Sequence, residues 1–97
     1  MRELVYHPLV PGEAREILAY YDGISPKLGD EFWSELTDAL EYARRYPERH
    51  HFDRGGRRRG SLKQFPHHFL FRIMDDEIRI TAIRHDRRDP GYGIRRH

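Results

Sequence analysis

The residues that could carry chemistry are concentrated in the second half of the chain. Residues 44–97 hold fifteen of the eighteen lysines and arginines, six of the seven histidines and seven of the sixteen acidic residues. Histidine exchanges protons near neutral pH, and arginine holds a phosphate group through a planar fork of N–H donors. This charge asymmetry predicts an anionic partner for the basic half, with nucleic acid as the leading class.

Cleavage of RNA by its own 2′-hydroxyl needs proton exchange and positive charge at the phosphate. The candidates for proton exchange are His68, His85 and Lys63. The candidates for holding the phosphate are Arg72, Arg79 and Arg88. Tyr92 could stack on a base. The structural alternative is that His67 and His68 only cap the end of a sheet, and that Tyr92 only pins the tail to the sheet.

These residues lie on or beside a predicted β-hairpin over residues 65–85. Two apolar runs rich in β-branched and aromatic residues flank Asp75-Asp76, a break typical of a hairpin turn. With the two aspartates in the turn, the apolar pairs on one face are Ile73 with Ile78, Phe71 with Ile80, and Phe69 with Ala82. A slip of one residue would break this match, because side chains alternate between faces.

The opposite face of this hairpin pairs Arg72 with Arg79, Leu70 with Thr81, and His68 with Ile83. Like charges directly across a ladder repel each other. Three interpretations stay open for the arginine pair: nearby carboxylates neutralise it, the face is shaped for an anion, or the guanidinium groups are simply solvated. We expect this face to be open to solvent.

Two amphipathic helices are predicted before the hairpin. Leu4–Tyr6 is a short strand candidate, and the first helix runs from Glu13 to Asp22-Gly23. Ser25-Pro26 begins the second helix, since serine caps and proline suits the first position, and Pro47 ends it. We expect Trp33 in the core; if it is partly outside, it marks a docking groove for a protein partner.

The rest of the chain consists of a cationic loop and a basic tail. The loop covers residues 48–60, a short strand over 61–65 follows it, and the tail follows His85. Arg57, Arg58 and Arg59 could grip an anionic target or lie in a solvated loop. With no cysteine and no converging histidines and carboxylates, we predict no metal site and no cofactor. The sequence offers no signal peptide or apolar run, so we expect a cytoplasmic protein with one domain over 1–97.

The resulting order, β-α-α-β-β-β, predicts an α+β fold in which a helical hairpin packs on one face of a small, mainly antiparallel sheet. This order resembles the RelE/ParE superfamily of bacterial toxins. So do four local motifs: Ser25-Pro26, Tyr46-Pro47-Glu48, Phe65-Pro66-His67, and His85 to Pro90.

The resemblance implies a toxin of a type II toxin–antitoxin system, neutralised by a cognate antitoxin. RelE-like members cleave ribosome-bound messenger RNA, and ParE-like members poison DNA gyrase. Carried onto this chain, the RelE-like catalytic residues are Lys63, His68, Arg72, Arg88 and Tyr92. We expect the target-binding residues to be Arg57, Arg58, Arg59, Arg79, His85 and Arg87.

The chain departs from the RelE-like pattern at three places. It has Lys63 where that pattern has a pair of lysines, His68 where it has an arginine, and Gly93 after Tyr92 where relatives carry tryptophan. These departures motivate a second hypothesis, a non-toxic or degenerate binding module of the same fold. A third hypothesis is a nucleic-acid-binding domain that needs no antitoxin.

Overall fold

A four-stranded sheet carries two helices on one face. The computed structural model describes residues 2–97. The strands are β1 (Glu3–Tyr6), β2 (Arg58–Ser61), β3 (His67–Ile73) and β4 (Glu77–His85), and the helices are α1 (Val10–Ile24) and α2 (Pro26–Arg45). The strand order is β1-β4-β3-β2, with β1 parallel to β4 and the other pairs antiparallel. The predicted α+β fold with order β-α-α-β-β-β is confirmed.

The helical hairpin forms where the sequence predicts it. The backbone N–H of Leu28 donates to the Ser25 hydroxyl at 3.1 Å, so Ser25 caps α2, and Pro26 occupies its first position. Gly29 lets the two helices approach closely, because a Cβ there would lie 1.6 Å from a carboxylate oxygen of Asp22. Among residues 2–97, neither helix is long and apolar enough to cross a membrane.

The core lies between the helices and the sheet. Its fully buried members include Phe32, Leu36, Ala43, Phe69, Phe71, Ile78 and Ile80. The prediction that Trp33 lies in the core is wrong: its neighbour Phe32 is the buried ring, and Trp33 is 44% exposed. One position on a helix rotates a side chain by about 100°, which is enough to move Trp33 out of the core stripe.

The register of the hairpin is as predicted near the turn and differs beyond it. Arg72 pairs with Arg79, and Phe71 pairs with Ile80. A β-bulge at Thr81 then shifts the pairing by one residue, so Phe69 faces Ile83 and not Ala82. The extra residue lets Ile83 face the helices together with Ile78 and Ile80, which strict alternation would forbid.

The prediction that the outer face of the sheet, opposite the helices, is open to solvent is wrong for its centre. Leu70 and Ala82 are fully buried there, and His68 is 2% exposed. The C-terminal tail covers this face: a Cβ on Gly93 would lie 2.8 Å from the Cβ of Ala82. Gly93 has a φ of +80°, a conformation that residues with a side chain rarely adopt.

The strand before the hairpin also lies earlier than predicted. Strand β2 covers Arg58–Ser61, and residues 62–66 form the connection to β3. Gly60 sits opposite Phe69, and a Cβ on Gly60 would lie 2.2 Å from the Phe69 ring. The ring of Phe69 therefore packs directly on the backbone of β2, which makes this glycine a strand residue and not a loop residue.

Candidate functional site

The predicted site residues fall into four separate groups on the folded chain. His68 and Arg59 belong to a partly buried ionic network. Tyr92 and Arg88, together with His85 and Arg87, lie at the end of β4 and in the tail that follows it. Arg57, Arg72 and Arg79 form a row across the outer face. Lys63 and Arg58 lie toward α2 at the edge of β2.

The ionic network holds a neutral histidine between charged partners. The Nδ1 atom of His68 lies 2.8 Å from Asp86, and the Arg84 guanidinium donates to the Nε2 atom of His68 at 2.8 Å. Because Arg84 has only donors, Nε2 must be the acceptor, and Nδ1 carries the proton. Burial lowers the pKa of His68, with Arg59 and Arg84 acting in the same direction and Asp86 opposing them.

Two carboxylates balance the arginines of this network. Arg59 contacts Asp86 at 3.2 Å and Asp53 at 3.4 Å, and Arg84 contacts Asp53 at 3.4 Å. Burial raises the pKa of Asp53, but the backbone N–H of residue 54 and the cations around this carboxylate together bring it below its ordinary value. Two guanidinium groups, two carboxylates and a neutral imidazole give a net charge of zero, an arrangement that fastens the loop and the tail to the hairpin.

The edge of β4 beyond β1 is closed by Glu13 of α1. Its carboxylate accepts from the backbone N–H of Ile83 at 3.1 Å and from the hydroxyl of Tyr92, and it pairs with Arg96 at 2.8 Å. The guanidinium groups of Arg88 and Arg96 lie over the Tyr92 ring, at 4.2 and 4.8 Å from its centroid. The predicted base-stacking ring therefore already stacks with arginines of its own tail.

The arginine row is formed by Arg57, Arg72 and Arg79. Arg72 pairs directly with Arg79, and Arg57 precedes the Arg58 position that pairs with Phe71, so the register brings Arg57 beside Arg72. Arg79 donates to Glu77 at 2.6 Å. Among residues 2–97, the side chain of Arg72 makes no hydrogen bond or ion pair.

Three exposed residues of the predicted set lie at the end of β4 and just after it. His85, Arg87 and Arg88 are exposed, and the backbone N–H of Arg87 donates to the His85 ring at 3.0 Å. A cavity of about 200 Å³ beside them is lined in part by Arg84, Arg88 and Tyr92. His67 borders the same cavity, and burial, with His85 second, lowers its pKa to about 4.

Lys63 and Arg58 complete the predicted set on the other edge of the sheet. The backbone N–H of Lys63 donates to the Glu35 carboxylate of α2, and its side chain is exposed. Arg58 donates to the carbonyl of His50 at 2.8 Å and stacks on the Phe52 ring. Lys63 borders a cavity of about 600 Å³ on the α2 side, whereas His68 is on the outer face.

Chemically, this arrangement offers cations but few groups that can exchange a proton. His68 has both ring nitrogens engaged, the Tyr92 hydroxyl is bonded to Glu13, and of His67, His68 and His85 only His85 is exposed. Within residues 2–97, no three histidine or acidic side chains are grouped so as to hold a metal ion. The exposed cations after β4 can contact an anionic or acidic surface.

Comparison with known proteins gives one informative likeness. No family model and no curated protein matches the sequence. Among solved structures, a chain from the chromosomal ParDE TA system of P. aeruginosa superposes with a TM-score of 0.74 at 18% identity, covering 88% of this chain and 96% of that chain. This chain has a ParE-like fold. The resemblance stated from its motifs is therefore confirmed at the level of the fold.

Sequence reasoning missed the acidic partners and one arginine. Glu13, Asp53, Asp86 and Arg84 organise the ionic network and the β4 edge, yet none was predicted as a site residue. The strict alternation used for β4 placed Ile83, and not Arg84, across from His68, because it did not include the bulge. The one sequence signal that could have indicated an acidic partner was Asp86, which lies next to His85 in a run of charged residues.

Proposed function

We propose that this protein is the toxin of a type II toxin–antitoxin system, that it acts in the cytoplasm, and that a cognate antitoxin neutralises it. The observation that carries the proposal is the ParE-like fold, which matches a chain of the ParDE TA system over 88% of this chain. The four motifs spread from Ser25 to Pro90 support it independently, since they lie in separate elements.

We further propose gyrase as the target, in the manner of ParE-like toxins, and not messenger RNA. The support comes from the positions, in the fold, of the residues that the RelE-like resemblance assigns to catalysis. His68 and Tyr92 are bonded within the fold, and Lys63 lies toward α2 while Arg72 lies on the outer face. A nuclease needs its acid, base and phosphate-holding groups within reach of one phosphate.

In this proposal the target surface consists of three exposed side chains at and after the end of β4, namely His85, Arg87 and Arg88. They require no rearrangement of the ionic network to reach a partner. The antitoxin contact is proposed to include Trp33, because a tryptophan that is 44% exposed on α2 has the area that anchors protein interfaces.

The test is induced expression of the chain in a bacterial host, followed by gyrase supercoiling assays and by primer extension on cellular messages. We expect growth arrest, inhibition of supercoiling by the purified protein, and messages without new 5′ ends. Normal growth at high soluble yield would contradict the toxin proposal, and new cuts in messages with normal supercoiling would contradict the target.

The variant Arg87→Ala with Arg88→Ala is expected to reduce the arrest, while Lys27→Ala on the acidic helical side serves as the matched control. Lys27 is exposed and makes only a 4.0 Å contact with Glu31, so its loss removes one cation without disturbing the fold. Equal toxicity of the double variant and the control would remove these arginines from the target surface.

A further inference from the structure

The outer edge of β1 carries backbone groups that the chain leaves unpaired. The backbone N–H groups of Glu3 and His7 donate to carbonyls on the side of β4, at 3.1 and 2.9 Å. Because the backbone groups of a strand alternate in direction, the N–H and C=O groups of Leu4 and Tyr6 point away from β4. Among residues 2–97, these four groups have no hydrogen-bond partner outside their own strand pair.

This open stretch of edge has a stop at each end. The carbonyl of Arg2 accepts from the Arg44 guanidinium at 3.3 Å, which closes the edge before Leu4. Pro8 has no backbone N–H group, so it closes the edge after Tyr6. Charged side chains and proline commonly limit pairing at the edges of sheets. Two donors and two acceptors remain between the stops, enough to pair with one further strand over a short length.

Apolar side chains surround the open edge. Leu4 and Tyr6 lie on the helix face of the sheet, since their partners in β4 are the core residues Ile78 and Ile80. Tyr6 is nevertheless exposed. Leu9, at the start of α1, and Tyr46, at the end of α2, are exposed as well. A strand added to β1 would therefore bury apolar surface and also satisfy the backbone.

A second copy of this chain fits the open edge in one register. When two β1 strands run antiparallel about a two-fold axis at Val5, Leu4 of each copy lies opposite Tyr6 of the other. Each of these two pairs exchanges two hydrogen bonds, so all the open groups are used. A shift by two residues would place Tyr6 opposite Arg2, whose carbonyl is taken, or Leu4 opposite Pro8, which lacks the donor.

The side chains match in the same register. Glu3 lies opposite His7 of the other copy, and Glu3 is exposed and takes part in no ion pair among residues 2–97. The Nδ1 atom of His7 accepts from the backbone N–H of Leu9 at 3.2 Å, so the proton of the neutral ring is on Nε2 and can be donated to a carboxylate. Leu4 opposite Tyr6 is a favourable aliphatic–aromatic pair. The strand is thus complementary to itself along its length.

We propose that this protein forms a two-fold dimer in which the β1 strands of two copies pair antiparallel. The two four-stranded sheets then join into one sheet of eight strands. The pairing brings the start of α1 of one copy beside the end of α2 of the other, where Leu9 and Tyr46 approach each other. Because the paired segment is short, we expect a weak dimer that dissociates on dilution. The inference does not use the proposed toxin function, so either can fail without the other.

The first measurement is sedimentation equilibrium of the full chain over a wide range of protein concentration. We expect the average mass to rise toward twice that of one chain. Tyr6→Pro removes one outward donor from each copy and leaves the pairing with β4 intact, since proline is tolerated on an edge strand where its nitrogen faces solvent. It should weaken the dimer at least about tenfold. Tyr6→Thr, which also loses the ring but keeps the donor, is the matched control and should weaken it less.

The second measurement tests the register through charge. Glu3→Lys places a cation opposite His7 of the other copy and should weaken the dimer, whereas Glu3→Lys combined with His7→Glu should restore it. Glu16→Lys makes the same change of charge on α1, at an exposed position beside His67 and His85, and should leave the dissociation constant unchanged. If Tyr6→Pro fails to fold, this set of variants decides the question.

Amide hydrogen exchange locates the contact. The amides of Glu3 and His7 should be protected at every protein concentration, whereas those of Leu4 and Tyr6 should become protected only in concentrated solution. The proposal is overturned if the chain sediments as a monomer up to millimolar concentration. It also fails if Tyr6→Pro and Glu3→Lys both dimerise as well as the unaltered protein, or if the Leu4 and Tyr6 amides stay unprotected in the dimer. Protection of these amides in a monomer that has bound another protein would assign the edge to a foreign strand and equally contradict self-pairing.

Discussion

Acidification should destabilise the protein through His67. This residue is 6% exposed, and burial lowers its pKa to about 4 from the ordinary value of 6.5 in an unfolded chain. Between these two values the unfolded state binds a proton that the folded state does not. Stability from this histidine is therefore fully present above pH 6.5 and is lost as the pH falls toward 4.

The size of the effect follows from the two pKa values. A difference of about 2.5 units corresponds to about 3 kcal/mol of unfolding free energy well below pH 4, and to about 2 kcal/mol at pH 5. His68, whose pKa is also lowered by burial, adds to the loss in the same direction. Most carboxylates remain ionised at pH 5, so the range from pH 7.5 to 5 isolates the histidines.

The assay is urea unfolding at several pH values in this range, on the unaltered protein, on His67→Asn and on His85→Asn. Asparagine can preserve the contact that the His67 Nδ1 atom makes with the Tyr21 hydroxyl at 3.4 Å, and it does not titrate. We expect a lower baseline but a shallower pH dependence for His67→Asn. His85→Asn should change the pH dependence of the unfolding free energy less than His67→Asn does. His85 is exposed, and it is only the second cause, after burial, of the lowered pKa of His67. If His67→Asn keeps the full slope of the unaltered protein, the buried neutral histidine is not its source.

Three further predictions concern the packing and the edge of the sheet. Glu13→Ala should destabilise the protein by about 3 kcal/mol, since it removes the carboxylate partner of Arg96 and the acceptor of the Ile83 N–H, and Tyr92→Phe should cost about 1.5 kcal/mol; losses below about 0.5 kcal/mol in urea titrations would refute this role. Gly60→Ala should cost at least about 2 kcal/mol because the added methyl overlaps the neighbouring ring, and an equal Tm would contradict that packing. Gly23→Ala, which meets nothing within 4 Å, should be neutral or stabilising in the same thermal unfolding experiment.

Local patterns in the sequence predicted most of the fold. Serine and proline at positions 25 and 26 predict the start of α2. The aspartates at 75 and 76 predict the register of the hairpin as far as the pair of Phe71 and Ile80. These features depend on residues that are close in the chain. They carry the same physical meaning whether or not the rest of the fold is known.

The site was less predictable because its contacts join distant segments. Asp53 meets Arg84 across 31 positions, and Glu13 meets Tyr92 across 79. The bulge at Thr81 interrupts the alternation from which the face of each strand residue was predicted. Because of it, Arg84 lies opposite His68 on the outer face of the sheet, which the C-terminal tail covers. Nothing in the composition of the tail distinguishes a solvated segment from one that packs on a sheet.

The short parallel strand β1 has a consequence for how the molecule assembles. It pairs only with residues 77–80, so the rest of β4 would be an unpaired edge to which a strand of a second chain could add. On this part of β4, the backbone N–H of Ile83 donates to the Glu13 carboxylate, and the carbonyl of Thr81 accepts from Arg96. At the edge of β2, the backbone N–H of Arg59 donates to the carbonyl of His51. The part of β4 beyond β1 and the edge of β2 are thus capped by the chain itself, and strand addition at these two places should be disfavoured as long as these contacts stay in place.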